Sequence, residues 1–229
     1  MLNVIYDDNH IIAVVKPQNV PTQEDITGDK DMLTMVKEYV KEKYNKPGNV
    51  FIGLVHRLDR PTGGVMVFAR TSKAANKLSR QIQEKTFEKT YYAVVKGVPK
   101  QPRNTLINYI QKDLRENKAS IVPMDVAGAK KSVLHYELID TQDNLSLLKI
   151  NLETGRSHQI RLQLSNIGLP IYGDAKYGNV QPGLKTTNLA LWAANLSFQH
   201  PTQERKMLFK VFPPEDKAPW NKFDLNRFI

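Results

Sequence analysis

The sequence predicts an α+β protein, on three observations. Short apolar runs bounded by turn residues read as strands, and stretches with a capping residue and apolar side chains at helical spacing read as helices. The two kinds of element follow one another without the strict strand–helix–strand alternation of a doubly wound sheet. The 229 residues are 41% hydrophobic and 24% charged, an ordinary globular composition able to bury a substantial core. One catalytic-size domain over residues 1–229 is the expectation.

Leu2–Tyr6 and Ile11–Val15 are apolar runs split by Asp7-Asp8-Asn9, the pattern of a hairpin. Lys16-Pro17 ends the second run, and residues 17–30, with two prolines and one glycine, read as an exposed loop. Asp31 caps an expected helix through about Lys43, with Leu33, Val36, Val40 and Tyr44 at helical spacing and Gly48-Asn49 as its stop. Val50–Val55 and Val65–Ala69 are strand-like runs enclosing a polar loop. Thr71-Ser72 then caps a helix over Lys73–Lys85, with Ala75, Leu78 and Ile82 buried and Lys73, Lys77 and Arg80 on another face. Strands are expected at Lys89–Gly97, Val133–Asp140 and Leu145–Leu152, a helix at Ser157–Ile167 ending at Gly168, and strands at Leu189–Phe198 and Lys206–Phe212. The polar stretch Pro99–Lys118 is the best boundary candidate, though not a linker.

Lys and Arg number 33 against 23 Asp and Glu, a formal net charge of +10, which favours a polyanionic partner: nucleic acid or an anionic membrane surface. The absence of cysteine excludes disulfides, cysteine-ligated metal and thiol catalysis. No apolar run reaches about 18 residues, so no membrane-spanning helix is expected. Asp7-Asp8 stands where a signal peptide needs an apolar middle, so the chain reads as soluble and cytoplasmic. No large apolar surface stripe stands out, and a monomer is the default.

Three constellations could carry chemistry. His56-Arg57-Leu58-Asp59-Arg60-Pro61-Thr62-Gly63-Gly64 follows an apolar run. While the chain is extended, Arg57 and Asp59 point the same way, which would aim a guanidinium and a carboxylate into one cleft. Pro61 and the glycines would turn the chain and bring a ligand close to the backbone. A surface turn with an ordinary ion pair fits the same residues. In Glu153-Thr154-Gly155-Arg156-Ser157-His158-Gln159-Ile160-Arg161, a helix starting at Ser157 buries Ile160, Leu164 and Ile167 and puts His158 and Arg161 together on another face. A buried arginine there needs an acidic partner, for which Asp59 is a candidate; the alternative is a solvated basic helix start. Tyr91 and Tyr92 sit in a strand and face opposite sides, one in the core and one exposed or in a cleft, where a ring beside basic residues suits stacking on an unpaired base. Packing alone also accounts for a strand tyrosine.

Phosphate-loop, dinucleotide, HExxH and GxSxG patterns do not occur, and five histidines at 10, 56, 135, 158 and 200 form no close metal-ligand set. A cofactor-free reaction driven by one carboxylate is what is left.

GLVHRLDRPTGG strongly resembles the HRLD-containing catalytic motif of RluA-type pseudouridine synthases. DDNHIIAVVKP resembles that family's opening strand pair, KTYYAVVKG its tyrosine strand, LETGRSHQIRLQL with GLPIYGDAKYG its late arginine motif, and LSFQHP its closing strand. The likeness runs in order over roughly residues 1–213. The family usually has Thr-Ser-Gly where this chain has Thr62-Gly63-Gly64.

The resemblance implies a mixed, mainly antiparallel sheet flanked by helices and loops, with an active-site cleft in the middle. It implies isomerisation of uridine to pseudouridine in ribosomal or transfer RNA, without cofactor or metal. Asp59 would be the essential carboxylate, attacking C1′ or taking a ribose proton to give a glycal. Arg161, with Arg156 second, would pair with it, and Tyr91 would pack on the uracil or assist proton removal from C5. Arg57 would fill the gap left by the flipped nucleotide. His56, Thr62, His158 and Gln159 would line the substrate, and Lys73, Lys77 and Arg80 would track phosphates. Many relatives carry an extra N-terminal S4-type RNA-binding domain, which this chain is expected to lack. A non-catalytic RNA-binding or ribosome-assembly protein on the same fold is the competing reading. A nucleoside glycosidase comes last, because it wants a second carboxylate for which only Glu153 and Asp174 are candidates.

Overall fold

The computed structural model describes residues 2–113, 115–178 and 188–225. In chain order the elements are β1 (Asn3–Asp7), β2 (Ile11–Lys16), α1 (Met32–Lys43), β3 (Gly53–Leu54), β4 (Gly63–Ala69), α2 (Ser72–Gln83), β5 (Glu88–Lys96), β6 (Arg103–Asp113), β7 (Lys118–Val122), β8 (Lys130–Gln142), β9 (Leu145–Leu152), α3 (Gln159–Asn166), β10 (Leu191–Gln199) and β11 (Lys206–Lys210). The class is α+β, as expected. Caps set the starts of α1 and α2: Asp31 Oδ1 accepts the Thr34 amide at 3.0 Å and Thr71 Oγ1 the Ala74 amide at 3.1 Å.

The residues group into two compact units, Met1–Lys89 with Ala193–Val211 and Thr90–Trp192 with Phe212–Ile229. In the first, the strand order is β1-β2-β4-β10, with β3 on β4 and β11 on β10. The β1–β2, β2–β4, β3–β4 and β10–β11 registers are all antiparallel. One face of this sheet buries Ile11, Ala13, Val65, Val67, Leu196 and Phe198 against Ala74 and Leu78 of α2, with Phe87 and Phe198 stacked 4.9 Å apart. Ile12, Val14, Met66 and Phe68 are buried as well. Both faces of the β2–β4 pair are therefore covered, which explains their near-continuous apolar runs.

In the second unit the order is β5-β9-β8-β6-β7, again antiparallel throughout. Ile160 and Leu164 anchor α3, and Gln163 Nε2 ties that helix to the Leu106 carbonyl at 3.1 Å and to Asn108 Oδ1 at 2.7 Å.

Several expectations need correction. The buried stripe of α1 is Met32, Val36 and Val40, shifted from Leu33, and Tyr44 is exposed. In Val50–Val55 only Gly53–Leu54 pairs as strand. The polar stretch Pro99–Lys118 holds the 11-residue strand β6, whose neighbours β7 and β8 satisfy its backbone. Tyr91 and Tyr92 are both buried, at 7% and 1% exposure, so neither faces open solvent. The third helix begins at Gln159, because His158 adopts a left-handed conformation with φ 56°, and Ile167 is exposed beyond its end.

Gly64, in the motif loop's exit, has φ +125°, and a Cβ there would lie 2.2 Å from the Ala193 carbonyl oxygen. Gly64→Ala should cost about 3 kcal/mol of stability, against about 1 for Gly48→Ala, where conformation alone is strained. Gly48 also has a positive φ, +76°, but its Cβ would meet nothing within 4 Å. Urea unfolding of both variants checks this, and equal costs would remove close approach as the cause.

Candidate functional site

In the first unit the candidate site is a loop that satisfies little of its own backbone. Residues 55–62 lie outside any strand, and Pro61 brings no amide. Every carbonyl from Leu58 to Thr62 nevertheless has a donor. Thr22 Oγ1 reaches Leu58 at 2.8 Å, and the Thr62 amide reaches Asp59 at 2.9 Å. The Asn19 amide bonds Arg60 at 2.8 Å and Gln18 Nε2 bonds Pro61 at 3.1 Å. Lys16 Nζ supplies the rest, donating to Arg60 at 2.9 Å, Thr62 at 2.7 Å and Pro17 at 3.1 Å. Lys16 is fully buried, and that burial pulls its pKa from 10.5 to about 7 despite the attraction of Asp59.

Within this clamp Leu58 points into the core while Arg57 is exposed and Asp59 half-buried. The alternation expected of an extended segment thus holds at these three positions. Thr62 is 2% exposed, with no partner for its hydroxyl among the described residues. His56 is half-buried and tied into the fold. Its ring packs 5.5 Å from Phe87, and Nε2 accepts the Val67 amide at 3.0 Å. Burial, with the charge of Lys89, holds its pKa down to about 3, so the ring stays neutral. Lys73, Lys77 and Arg80 all lie exposed on α2, and Arg80 pairs with Glu84 at 2.8 Å.

In the second unit the organising group is Asp174, 1% exposed. It takes the Arg161 guanidinium in a two-point fork, Nε to Oδ2 at 2.8 Å and Nη2 to Oδ1 at 2.7 Å. It also accepts the Lys176 and Tyr177 amides at 2.9 and 3.0 Å. Burial pushes this carboxyl upward, but the guanidinium and the two amides outweigh it and hold the pKa below the ordinary range. The acidic partner that a buried arginine requires is thus present within its own unit. An ionised Asp174 cannot serve as the general acid of a hydrolase.

His158 and Arg161 do meet, through Tyr177. His158 Nδ1 lies 2.8 Å from the Tyr177 hydroxyl, which accepts the Ala119 amide at 2.8 Å, and the guanidinium carbon of Arg161 sits 5.2 Å from the ring centre. Tyr91 pairs with Ile150 between β5 and β9. Arg156 is exposed, its Nε 3.3 Å from the Lys131 carbonyl. Gln159 is buried. Its amide is engaged at both ends inside the fold, with Thr154 Oγ1 at 2.9 Å, the Arg156 amide at 3.0 Å and the Val133 carbonyl at 3.1 Å. It shapes the loop that presents Arg156.

Lys16, Thr22 and Tyr177 are not among the residues expected from the sequence, and Asp174 is expected there only as a spare carboxylate, not as the partner of Arg161. A lysine closing a wholly apolar strand was the available signal for Lys16. Asp174 and Tyr177 lie in GDAKYG, visible as motif but not as partners. No group of three or more His, Asp or Glu poised for a metal occurs among the described residues, and none of their helices is long and apolar enough to cross a membrane.

The profile of the RNA pseudouridylate synthase family matches residues 10–166. An uncharacterized RNA pseudouridine synthase of Bacillus subtilis is 30% identical over 220 residues, covering 95% of this chain and 71% of the relative. Ribosomal large subunit pseudouridine synthase D of Zymomonas mobilis is 30% identical over 224 residues, 94% of this chain and 70% of the relative. Among solved structures, the human RNA pseudouridylate synthase domain containing 4 superposes with a TM-score of 0.77 at 21% identity, over 93% of this chain and 89% of that one, a likeness of fold.

Two outcomes test the geometry. The unfolded chain holds the Lys16 proton to near 10.5 and the folded one only to about 7. The contribution of Lys16 to stability is therefore complete above 10.5 and lost as pH falls through that window. Lys16→Met should flatten the rise of unfolding free energy between pH 7 and 10 and cost about 3 kcal/mol at pH 7, from the carbonyls it orphans. Urea melts across pH read both; an unchanged slope would refute the clamp's titration. Asp174→Asn strands a buried guanidinium and should cost about 3 kcal/mol or more. The same assay checks it, and a near-neutral result would mean that Arg161 is adequately satisfied elsewhere.

Proposed function

The chain belongs to the RNA pseudouridylate synthase family, and from that premise we propose that its substrate is a uridine of ribosomal or transfer RNA and its essential carboxylate is Asp59. Its enzymes are isomerases. The bond from ribose C1′ to N1 of uracil breaks, the base turns, and C5 bonds to C1′ while C5 gives up a proton and N1 takes one. Nothing is oxidised or hydrolysed.

Asp59 acts either as nucleophile at C1′ or as base towards a ribose proton, and both roles need the ionised form that a nearby cation favours. The observation that carries this reading is the clamp: five consecutive carbonyls tied down around one half-buried carboxylate. Such restraint is what a reacting group needs and an exposed ion pair does not. Arg161 is the proposed cation for the developing charge, and Tyr91 the ring against the uracil. The exposed Arg57 fills the gap left by the flipped nucleotide, at a cost of a few kcal/mol in unstacking. Arg156, Lys73, Lys77 and Arg80 contact phosphates, while His56, Thr62, His158 and Gln159 line the substrate. The reading places a monomer of one catalytic domain in the cytoplasm; the ribosomal target in the relatives' names supports ribosomal RNA as the first place to look.

RNA from cells with and without the gene, treated with a pseudouridine-marking reagent and mapped by reverse-transcription stops, tests this. Stops should vanish on deletion and return with the wild type but not with Asp59→Ala. Their return with Asp59→Ala refutes the assignment of the carboxylate, and an unchanged map with protein inert on bulk RNA favours a binding role.

A further inference from the structure

The loop between β2 and α1 carries an isoleucine that the chemistry above does not use. Ile26 is exposed at 105% of its reference area, against 57% for Leu208 on β11. Every neighbour from Gln23 to Lys30 is exposed and none is apolar. An isolated exposed apolar residue needs no explanation on a loosely held loop. This loop is tied to the motif loop through Gln18, Asn19 and Thr22, and its tip is held by Arg60.

Asp25 Oδ1 accepts the Thr27 amide at 3.0 Å and its hydroxyl at 2.6 Å, which folds the tip around Ile26. Arg60 then grips that tip. Its Nη1 donates to Asp25 Oδ2 at 3.2 Å and to Thr27 Oγ1 at 2.8 Å, and its Nη2 donates to Asp29. The carbonyl of the same Arg60 accepts the Asn19 amide at 2.8 Å near the loop's start, and Lys16 at 2.9 Å. Arg60 directly follows Asp59 in the chain. One residue beside the proposed reacting carboxylate therefore fixes the loop at its start and at its tip.

The charges point to what the loop meets. Glu24, Asp25 and Asp29 would repel a phosphodiester chain next to Asp59. Arg60 binds Asp25 and Asp29 at once and offsets one of their two charges, which lowers the repulsion at the tip and leaves the aliphatic side chain of Ile26 leading. Aliphatic side chains inserted between base steps unstack them, which is the step that precedes flipping. We propose that Ile26, presented by the Arg60-latched loop, packs as an apolar wedge against an unstacked base flanking the target uridine, with Arg60 as its positioning residue.

This rests on the RNA-modifying activity but not on the chemistry assigned to Asp59. The assay is tritium release from bulk RNA of cells lacking the gene, labelled at uridine C5, with purified full-length variants. Ile26→Ser should raise the apparent KM roughly tenfold, the size of one lost base contact, with a smaller fall in kcat. Ile26→Leu should restore most of it. Leu208→Ser, a control elsewhere on the first unit's surface, should behave as wild type. In an Arg60→Lys background, which keeps the charge but loses the fork, Ile26→Ser should add little, because the loop no longer presents the side chain. A wild-type KM in Ile26→Ser, or full additivity of the two changes, overturns the proposal. An active Asp59→Asn would refute the carboxylate assignment alone and leave these comparisons readable.

Discussion

A buried ammonium sets the terms for the first unit. Taking a lysine charge out of water costs several kcal/mol, and a fold retains one only where specific partners offset the cost. Lys16 recovers part of that cost from three carbonyls, two of them one and three residues after Asp59, and its pKa still falls to about 7. The need arises from the motif itself. A loop built to expose Arg57 and Asp59 cannot pair with a neighbouring strand, and its proline removes an amide that could have closed a turn. Its carbonyls would otherwise be orphaned against a dry core. A single flexible cation with three donors solves this more compactly than several hydroxyls could.

The second unit solves the inverse problem. There an anion gathers N–H groups: Asp174 receives two from Arg161 and two from the backbone. The planar guanidinium needs this fork, since a lysine could not match both carboxylate oxygens. Tyr177 completes the arrangement by touching Arg161 with its ring and His158 with its hydroxyl. The left-handed backbone at His158 then has a physical reason. It turns the ring out of the helical path, where Nδ1 can reach the Tyr177 hydroxyl.

These features also mark where the sequence was legible. Helices α1 and α2 announce themselves through Asp31 and Thr71, because a capping hydroxyl or carboxylate acts within three residues. Strand β9 was readable to the residue, since turn residues bound it on one side and a glycine-bearing loop on the other. By contrast β6 buries only Leu106 and Ile110, with the polar Asn108 between them on the same face, so no apolar alternation marks it and its identity comes from its two neighbours. Tyr91 and Tyr92 stand on opposite faces of β5, but both are buried because the strand is covered on both sides there. Motif resemblance picked out the HRLD loop and the late arginine, but not the hydrogen bonds that tie motif residues into the fold. Those of His56 and Gln159 are visible only in the structure.

The same distinction applies to the basic surplus. A net charge of +10 is a property of the whole chain, yet an arginine already bound to a carboxylate offers RNA little. Arg60, Arg80 and Arg103 are paired with Asp25 and Asp29, Glu84 and Glu137. A phosphate approaching them must displace a carboxylate and so gains less from releasing counterions. Lys73 and Lys77 carry no ion pair among the described residues and stand on the exposed face of α2. In the proposed reading the attraction of this helix for a phosphate backbone therefore rests chiefly on the two lysines, with Arg80 adding less because it also holds Glu84 through its i, i+4 pair.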